Sequence, residues 1–188
     1  WRTFPSSGGP LLINAIHDIG LMHLLIGPIK RVMAMGRESS LNAGVEGIVS
    51  ASLEFTNGAV GSITVSDEVC SPGSWEVSSG ENEAFPKYEH GFSLMIGGTS
   101  GAILLPQCIL LEDIVGGDWK YPMNQHLMTL PVEDPLVNQL NHFIDIILGA
   151  NEPQVTVANA LENLAVIEAI KKSLATESIA DVDGLGVF

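Results

Sequence analysis

Three polar side chains interrupt an apolar run near the start of the chain: Asn14, His17 and Asp18 within residues 11–26. At about 100° per residue, positions i, i+3 and i+4 share one face, so a helix here presents all three in the same direction. An imidazole titrates near neutrality and can take or give a proton at physiological pH. A carboxamide donates to one oxygen and accepts from another, which orients a bound molecule without competing for its proton. Asp18 adjoins His17, but i, i+1 neighbours diverge; its carboxylate suits the first turns of the helix, where the macrodipole favours negative charge. The competing reading of His17 is a packed or capping histidine.

The surrounding residues spell the helix that must carry this cluster. Gly8 and Gly9 allow a tight approach, Pro10 suits a first helical position, and Gly27-Pro28 supplies the stop. Residues 29–35 read as a strand and 36–47 as a polar loop. Between 46 and 69, Val49, Ala51, Leu53 and Phe55 alternate with Ser50, Ser52, Glu54 and Thr56, and past Asn57-Gly58 the alternation resumes through Gly61, Ile63 and Val65. A two-residue loop would pair Phe55 with Val60 and mix the faces. A three-residue loop pairs Phe55 with Ala59, Leu53 with Gly61, Ala51 with Ile63 and Val49 with Val65, keeping one face apolar. The spacing therefore predicts a type I turn with Gly58 in the left-handed region as a G1 bulge.

Residues 70–89 are too rich in Gly, Ser and Pro for regular structure and read as a long loop. Strands are expected at 92–96, 102–105, 108–114 and about 125–131. Asp134-Pro135 opens a helix carrying Leu136, Leu140, Phe143, Ile144, Ile147 and Leu148, closed by Gly149. Thr156 caps a last helix through about 176 with Leu161, Leu164, Ile167 and Ile170 inward. A helix, a run of strands and two closing helices imply an α+β fold, a large mostly antiparallel sheet with helices packed on one face, as a single domain over 1–188.

Composition bounds the partners. The chain has 188 residues, 46% hydrophobic, with 8 basic against 22 acidic side chains and a formal charge of −14. That balance argues against nucleic acid or an anionic membrane surface, and the most apolar stretch carries too many polar residues to span a bilayer. Cys70 and Cys108 are isolated, which suits a reducing compartment such as the cytoplasm, and both are expected to be buried small apolar residues. His23, His90, His126 and His142 lack metal-site spacing, so no metal is expected. The chain opens at Trp1 without a Met, so a longer parent protein is expected.

The run Gly-Gly-Pro-Leu-Leu-Ile-Asn-Ala-Ile-His-Asp-Ile-Gly-Leu-Met-His-Leu-Leu-Ile-Gly resembles the helix that opens the C-terminal domain of Gfo/Idh/MocA oxidoreductases, the relatives of glucose–fructose oxidoreductase and inositol 2-dehydrogenase. Leu53-Glu54-Phe55-Thr56-Asn57-Gly58-Ala59 is similar to that family's central hairpin. Ser74-Trp75-Glu76 with Ser79-Gly80-Glu81-Asn82 resembles one of its loops, and Gln139-Leu140-Asn141-His142-Phe143 and Glu168-Ala169-Ile170-Lys171-Lys172-Ser173 resemble its closing helices. The likeness spans nearly the whole chain, in the family's order.

The resemblance implies an N-terminal Rossmann domain, outside this stretch, that binds NAD or NADP and carries the catalytic lysine. It implies a C-terminal domain that covers the nicotinamide and pairs into a homodimer or tetramer through its open sheet face. Hydride passes between a sugar or polyol carbon and the nicotinamide while a side chain handles the hydroxyl proton. In the family's Asp-x-Gly-x-His motif, His17 falls on the histidine and is the catalytic candidate. Asn14 stands three residues before it, one off the aspartate's spacing, and is a substrate-binding candidate unable to exchange a proton. Gly20 stands where many members have another carboxylate. Trp1 and Arg2 could reach a substrate from the domain junction, as the family's linker can, or form a disordered end, and Trp75 either stacks on a sugar ring or anchors its loop. Gly97-Gly98-Thr99-Ser100-Gly101 has the wrong spacing for a phosphate cradle and leads to a strand, so it reads as a turn. The isolated chain is therefore expected to be inactive; the alternative is a non-catalytic binding or scaffold module of the same fold.

Overall fold

The computed structural model describes residues 1–5, 7–89, 91–113, 116, 118, 120–131 and 133–184. In chain order, a π-turn at Leu11–Ala15 runs into α1 (Ile16–Leu25), followed by β1 (Ile29–Glu38), β2 (Glu46–Phe55), β3 (Val60–Ser66), α2 (Trp75–Ser79), β4 (Leu94–Gly97), β5 (Gly101–Leu105), β6 (Ile109–Glu112), β7 (Asn124–Leu127), α3 (Pro135–Ile147), α4 (Val157–Thr176) and β8 (Ala180–Asp181). Contacts divide the chain into two compact units, Trp1–Val69 with Gln154–Phe188, and Cys70–Pro153. Each holds one four-stranded sheet, ordered β3-β2-β1-β8 in the first and β4-β5-β6-β7 in the second. Every pairing described is antiparallel. The fold is α+β, as the sequence pattern predicts, with its strands shared between two sheets.

In the first unit the central hairpin takes the register that keeps one face apolar. Leu53 pairs with Gly61, Ala51 with Ile63 and Val49 with Val65, and the Phe55 amide donates to the Ala59 carbonyl at 2.9 Å. Gly58 has φ +88°, the left-handed value that a G1 bulge needs and that a β-carbon opposes. Val32 and Ala34 of β1 join Val49, Ala51, Leu53 and Phe55 of β2 in the core, covered by Leu11, Ala15 and Ile19 of the first helix and by Val166, Ile167 and Ile170 of α4. Thr156 caps α4, as the sequence predicts, and Asn159 completes a capping box with it. Where β8 stops pairing, the buried Ser173 hydroxyl takes over. It accepts from the Ala34 amide at 3.0 Å and donates to the Ser178 carbonyl at 2.6 Å.

The opposite face of this sheet runs in uncharged rows, Met33–Ser52–Ser62 and Met35–Ser50–Thr64. At its rim Glu54 is held by Arg31 and Lys30, whose hydrogen bonds keep its carboxyl below the ordinary range. Glu68 closes the loop between β1 and β2. The Ser39 hydroxyl, then the Ser40 hydroxyl and amide and the Arg37 guanidinium, outweigh burial and draw its carboxyl down to about 2.

Several expectations need correction. β1 runs on to Glu38, because pairing with β2 recruits Gly36 and Arg37 despite their lack of apolar signal. Residues 75–79 of the expected long loop form α2, closed by Gly80 at φ +74°. The expected strand 125–131 starts one residue earlier and stops at Leu127, and the two-residue β8 was invisible to periodicity. Ile114, the end of another expected strand, lies outside the described residues, as does His90. Cys70 is exposed and Cys108 half-buried, both as free thiols, so neither is a core residue. The 97–101 segment is the turn it was expected to be, with the Gly98 amide donating to the Gly101 carbonyl. Asp134 caps α3 through the Leu136 and Val137 amides, yet Leu136, Leu140, Phe143 and Ile147 on that helix are exposed.

Candidate active site

The first helix is fixed from three sides. Leu11, Ala15, Ile19 and Met22 recur every three or four residues and bury themselves, which turns the opposite side outward. At its far end the Asn57 amide, on the hairpin tip, donates to the Ile26 carbonyl at 2.8 Å. On its flank His23 Nδ1 meets Asn163 Oδ1 of α4 at 2.8 Å. Gly20 leaves room beside the same carboxamide, because a β-carbon there would fall 2.9 Å from Asn163 Nδ2.

Asn14 and His17 are both exposed, separated by about 4.5 Å along the helix axis. The turn between them is unusual: the Ile16 amide reaches back five residues to the Leu11 carbonyl, a π-turn of the kind that recurs at functional sites. Asp18 is half-buried in the first turn of α1, where a carboxylate suits the helix dipole. An exposed imidazole beside an exposed carboxamide can remove a hydroxyl proton and hold a neighbouring oxygen.

The other candidates stand elsewhere. The Arg2 guanidinium lies over the Trp1 ring, 5.6 Å from its centroid. Turns fold this lead-in back, with the Gly9 amide on the Arg2 carbonyl at 2.9 Å. Trp1 and Arg2 thus sit at the helix start. Trp75 belongs to the second unit, where its indole N–H donates to Glu81 Oε2 at 2.8 Å and ties α2 to the loop after it. A groove of about 960 Å³ follows the β1 edge beyond β8, lined by Arg37, Glu46, Lys171 and Leu174 among others, and none of the candidates enters it. Its cations are already engaged, Arg37 with Glu68 and Lys171 with Glu168. Among the described residues no cluster of His, Cys, Asp or Glu could hold a metal, and no helix is long and apolar enough to cross a membrane. Sequence reasoning missed Asn163, whose partner lies 140 residues away, and no local pattern signals such a contact.

The sequence model of the GFO/IDH/MocA C-terminal domain matches residues 1–103, more than half the chain and the whole of the helix and hairpin just described. The chain belongs to the Gfo/Idh/MocA family. Solved structures share the fold of this Gfo/Idh/MocA domain. A Desulfitobacterium hafniense protein assigned as an NADPH-dependent oxidoreductase is 20% identical over 97% of this chain and 51% of its own, with a TM-score of 0.71. Levoglucosan dehydrogenase, solved with NADH, is 18% identical over 98% of this chain and 54% of its own, with a TM-score of 0.69. The WlbA dehydrogenase from Bordetella pertussis, solved with NADH and UDP-GlcNAcA, is 20% identical over 97% and 46%, at 0.57. The chain spans about half the length of these relatives. No curated protein matches its sequence.

Proposed function

We propose that residues 1–188 serve as one domain, the substrate-binding and dimerisation half of an NAD- or NADP-dependent oxidoreductase acting on a CH–OH group of a sugar, polyol or related hydroxy compound. The observation that carries this reading is the exposure of His17 and Asn14 together on the family's opening helix. The chain contains no Gly-x-Gly-x-x-Gly run, and its richest glycine segment is the β4–β5 turn, so these residues do not fit a dinucleotide's pyrophosphate. That cradle is assigned to an N-terminal Rossmann domain, and the chain alone is expected to be inactive. The nicotinamide supplies the hydride acceptor; this chain supplies the groups around the hydroxyl. The His17 ring nitrogen takes the hydroxyl proton as the carbon is oxidised, and returns it in the reverse direction. Asn14 donates to one substrate oxygen and accepts from another. Arg2 and Trp1 are assigned to the outer rim of substrate binding, and Trp75 to anchoring α2 against its loop through Glu81.

The uncharged rows of Met33, Met35, Ser50, Ser52, Ser62 and Thr64 support self-association into a dimer or tetramer, since interface centres are depleted in charge and favour Met. Two free thiols support a reducing, cytoplasmic setting. The test is turnover of the intact protein on a panel of polyols and aldoses with NAD and NADP. His17→Ala is expected to lower it by roughly 10²–10⁴. A loss below about tenfold with an altered melting temperature would return His17 to a packing role and leave the chain a scaffold.

A further inference from the structure

We infer that Asn163 is a positioning residue for His17, clipping the flank of α1 and so setting the roll of that helix about its own axis. The inference rests on the reading of His17 as the acid–base group. The buried row of Leu11, Ala15, Ile19 and Met22 fixes how deeply the helix sits, and Asn57 holds its end. Aliphatic contacts are non-directional and repack when a helix rolls; a hydrogen bond on the flank is directional and resists it. Asn163 supplies that bond. Its Oδ1 meets His23 Nδ1 at 2.8 Å, and its Nδ2 occupies the space a β-carbon at Gly20 would need.

A carboxamide oxygen only accepts, so His23 carries its proton on Nδ1. Gly20 follows His17 by three residues and is its neighbour on the helix surface, so the clipped flank adjoins the reactive face. With side chains reaching about 6 Å from the axis, a roll of about 10° moves the His17 imidazole by about 1 Å. A misplacement of that size at a reacting centre costs on the order of 10² in rate. A β-carbon at Gly20 forces the carboxamide to shift, and as a rotatable group it can do so without displacing α4.

The intact protein and three variants test the clip by nitrogen NMR of the His23 imidazole and by steady-state kinetics on the same samples. Asn163→Leu keeps the length but removes the acceptor; Gly20→Ala shifts the carboxamide while favouring the helix; Asn163→Asp keeps an acceptor in place. The native protein and Asn163→Asp should show the Nδ1–H form, and Asn163→Leu and Gly20→Ala the Nε2–H form. The latter two should lose about 10- to 100-fold in turnover with KM changed by less than about twofold, and Asn163→Asp should recover most of the rate. A native Nε2–H tautomer overturns the inference. So does unchanged turnover in Gly20→Ala after the tautomer has switched, a variant that remains informative if Asn163→Leu fails to fold. His17→Ala distinguishes the two levels: a small loss there removes the acid–base reading and the positioning role with it, whatever the tautomer shows.

Discussion

At the scale of single residues, two carboxylates and one imidazole divide the work. His17, the proposed acid–base group, is exposed, whereas Glu54 and Glu68 face donors. Glu68 titrates near 2 in the folded chain, below the ordinary value of 4.5, because Ser39, Ser40 and Arg37 hold its charged form. A carboxyl depressed in the folded state contributes stability that is complete above its unfolded pKa and is lost as pH falls through the folded one. Acid melts should therefore show a stability loss between about pH 4.5 and 2 that Glu68→Gln flattens. An unchanged acid profile in that variant would mean the cluster is solvated in solution. The outward face of Asn14 and His17 was legible because helical spacing alone aligns positions three apart. The role of Asn163 was not, because its partner is remote in sequence and an Asn on a helix has many bland uses.

At the scale of elements, what the sequence revealed follows from how much periodicity each element carries. The β2–β3 hairpin alternates on both sides of Asn57-Gly58, so its register followed from keeping one face apolar. The five residues of α2 and two of β8 are too short to show any period. The π-turn at Leu11–Ala15 carries no sequence pattern that marks where the helix widens. Caps were the most readable punctuation. Thr156 Oγ1 accepts from the Asn159 amide at 3.3 Å while Asn159 Oδ1 accepts from the Thr156 amide at 3.0 Å. Thr156→Ala should cost about 1 kcal/mol and lower the melting temperature by roughly 2–4 °C in a chain of this size. No shift on calorimetry would mean that packing of α4 on β1 overrides its cap.

At the scale of the molecule, the placement of charge is the informative feature. A chain with 22 acidic residues keeps two full rows across β1, β2 and β3 without one. If that face joins two copies, Met35→Glu buries a carboxylate against Met and Ser and should weaken the dimer by roughly tenfold or more in sedimentation. A native protein that sediments as a clean monomer would remove the dimerisation proposal without touching the site. An association built on uncharged rows should also depend little on ionic strength, unlike one steered by charge.

The Ser173 hydroxyl offers a gauge of a different kind. Because it, and not a neighbouring strand, takes the Ala34 amide, that amide hydrogen is released when α4 lifts from the sheet. Its exchange with deuterium would therefore time the detachment of a single helix, separately from the unzipping of the strands beside it.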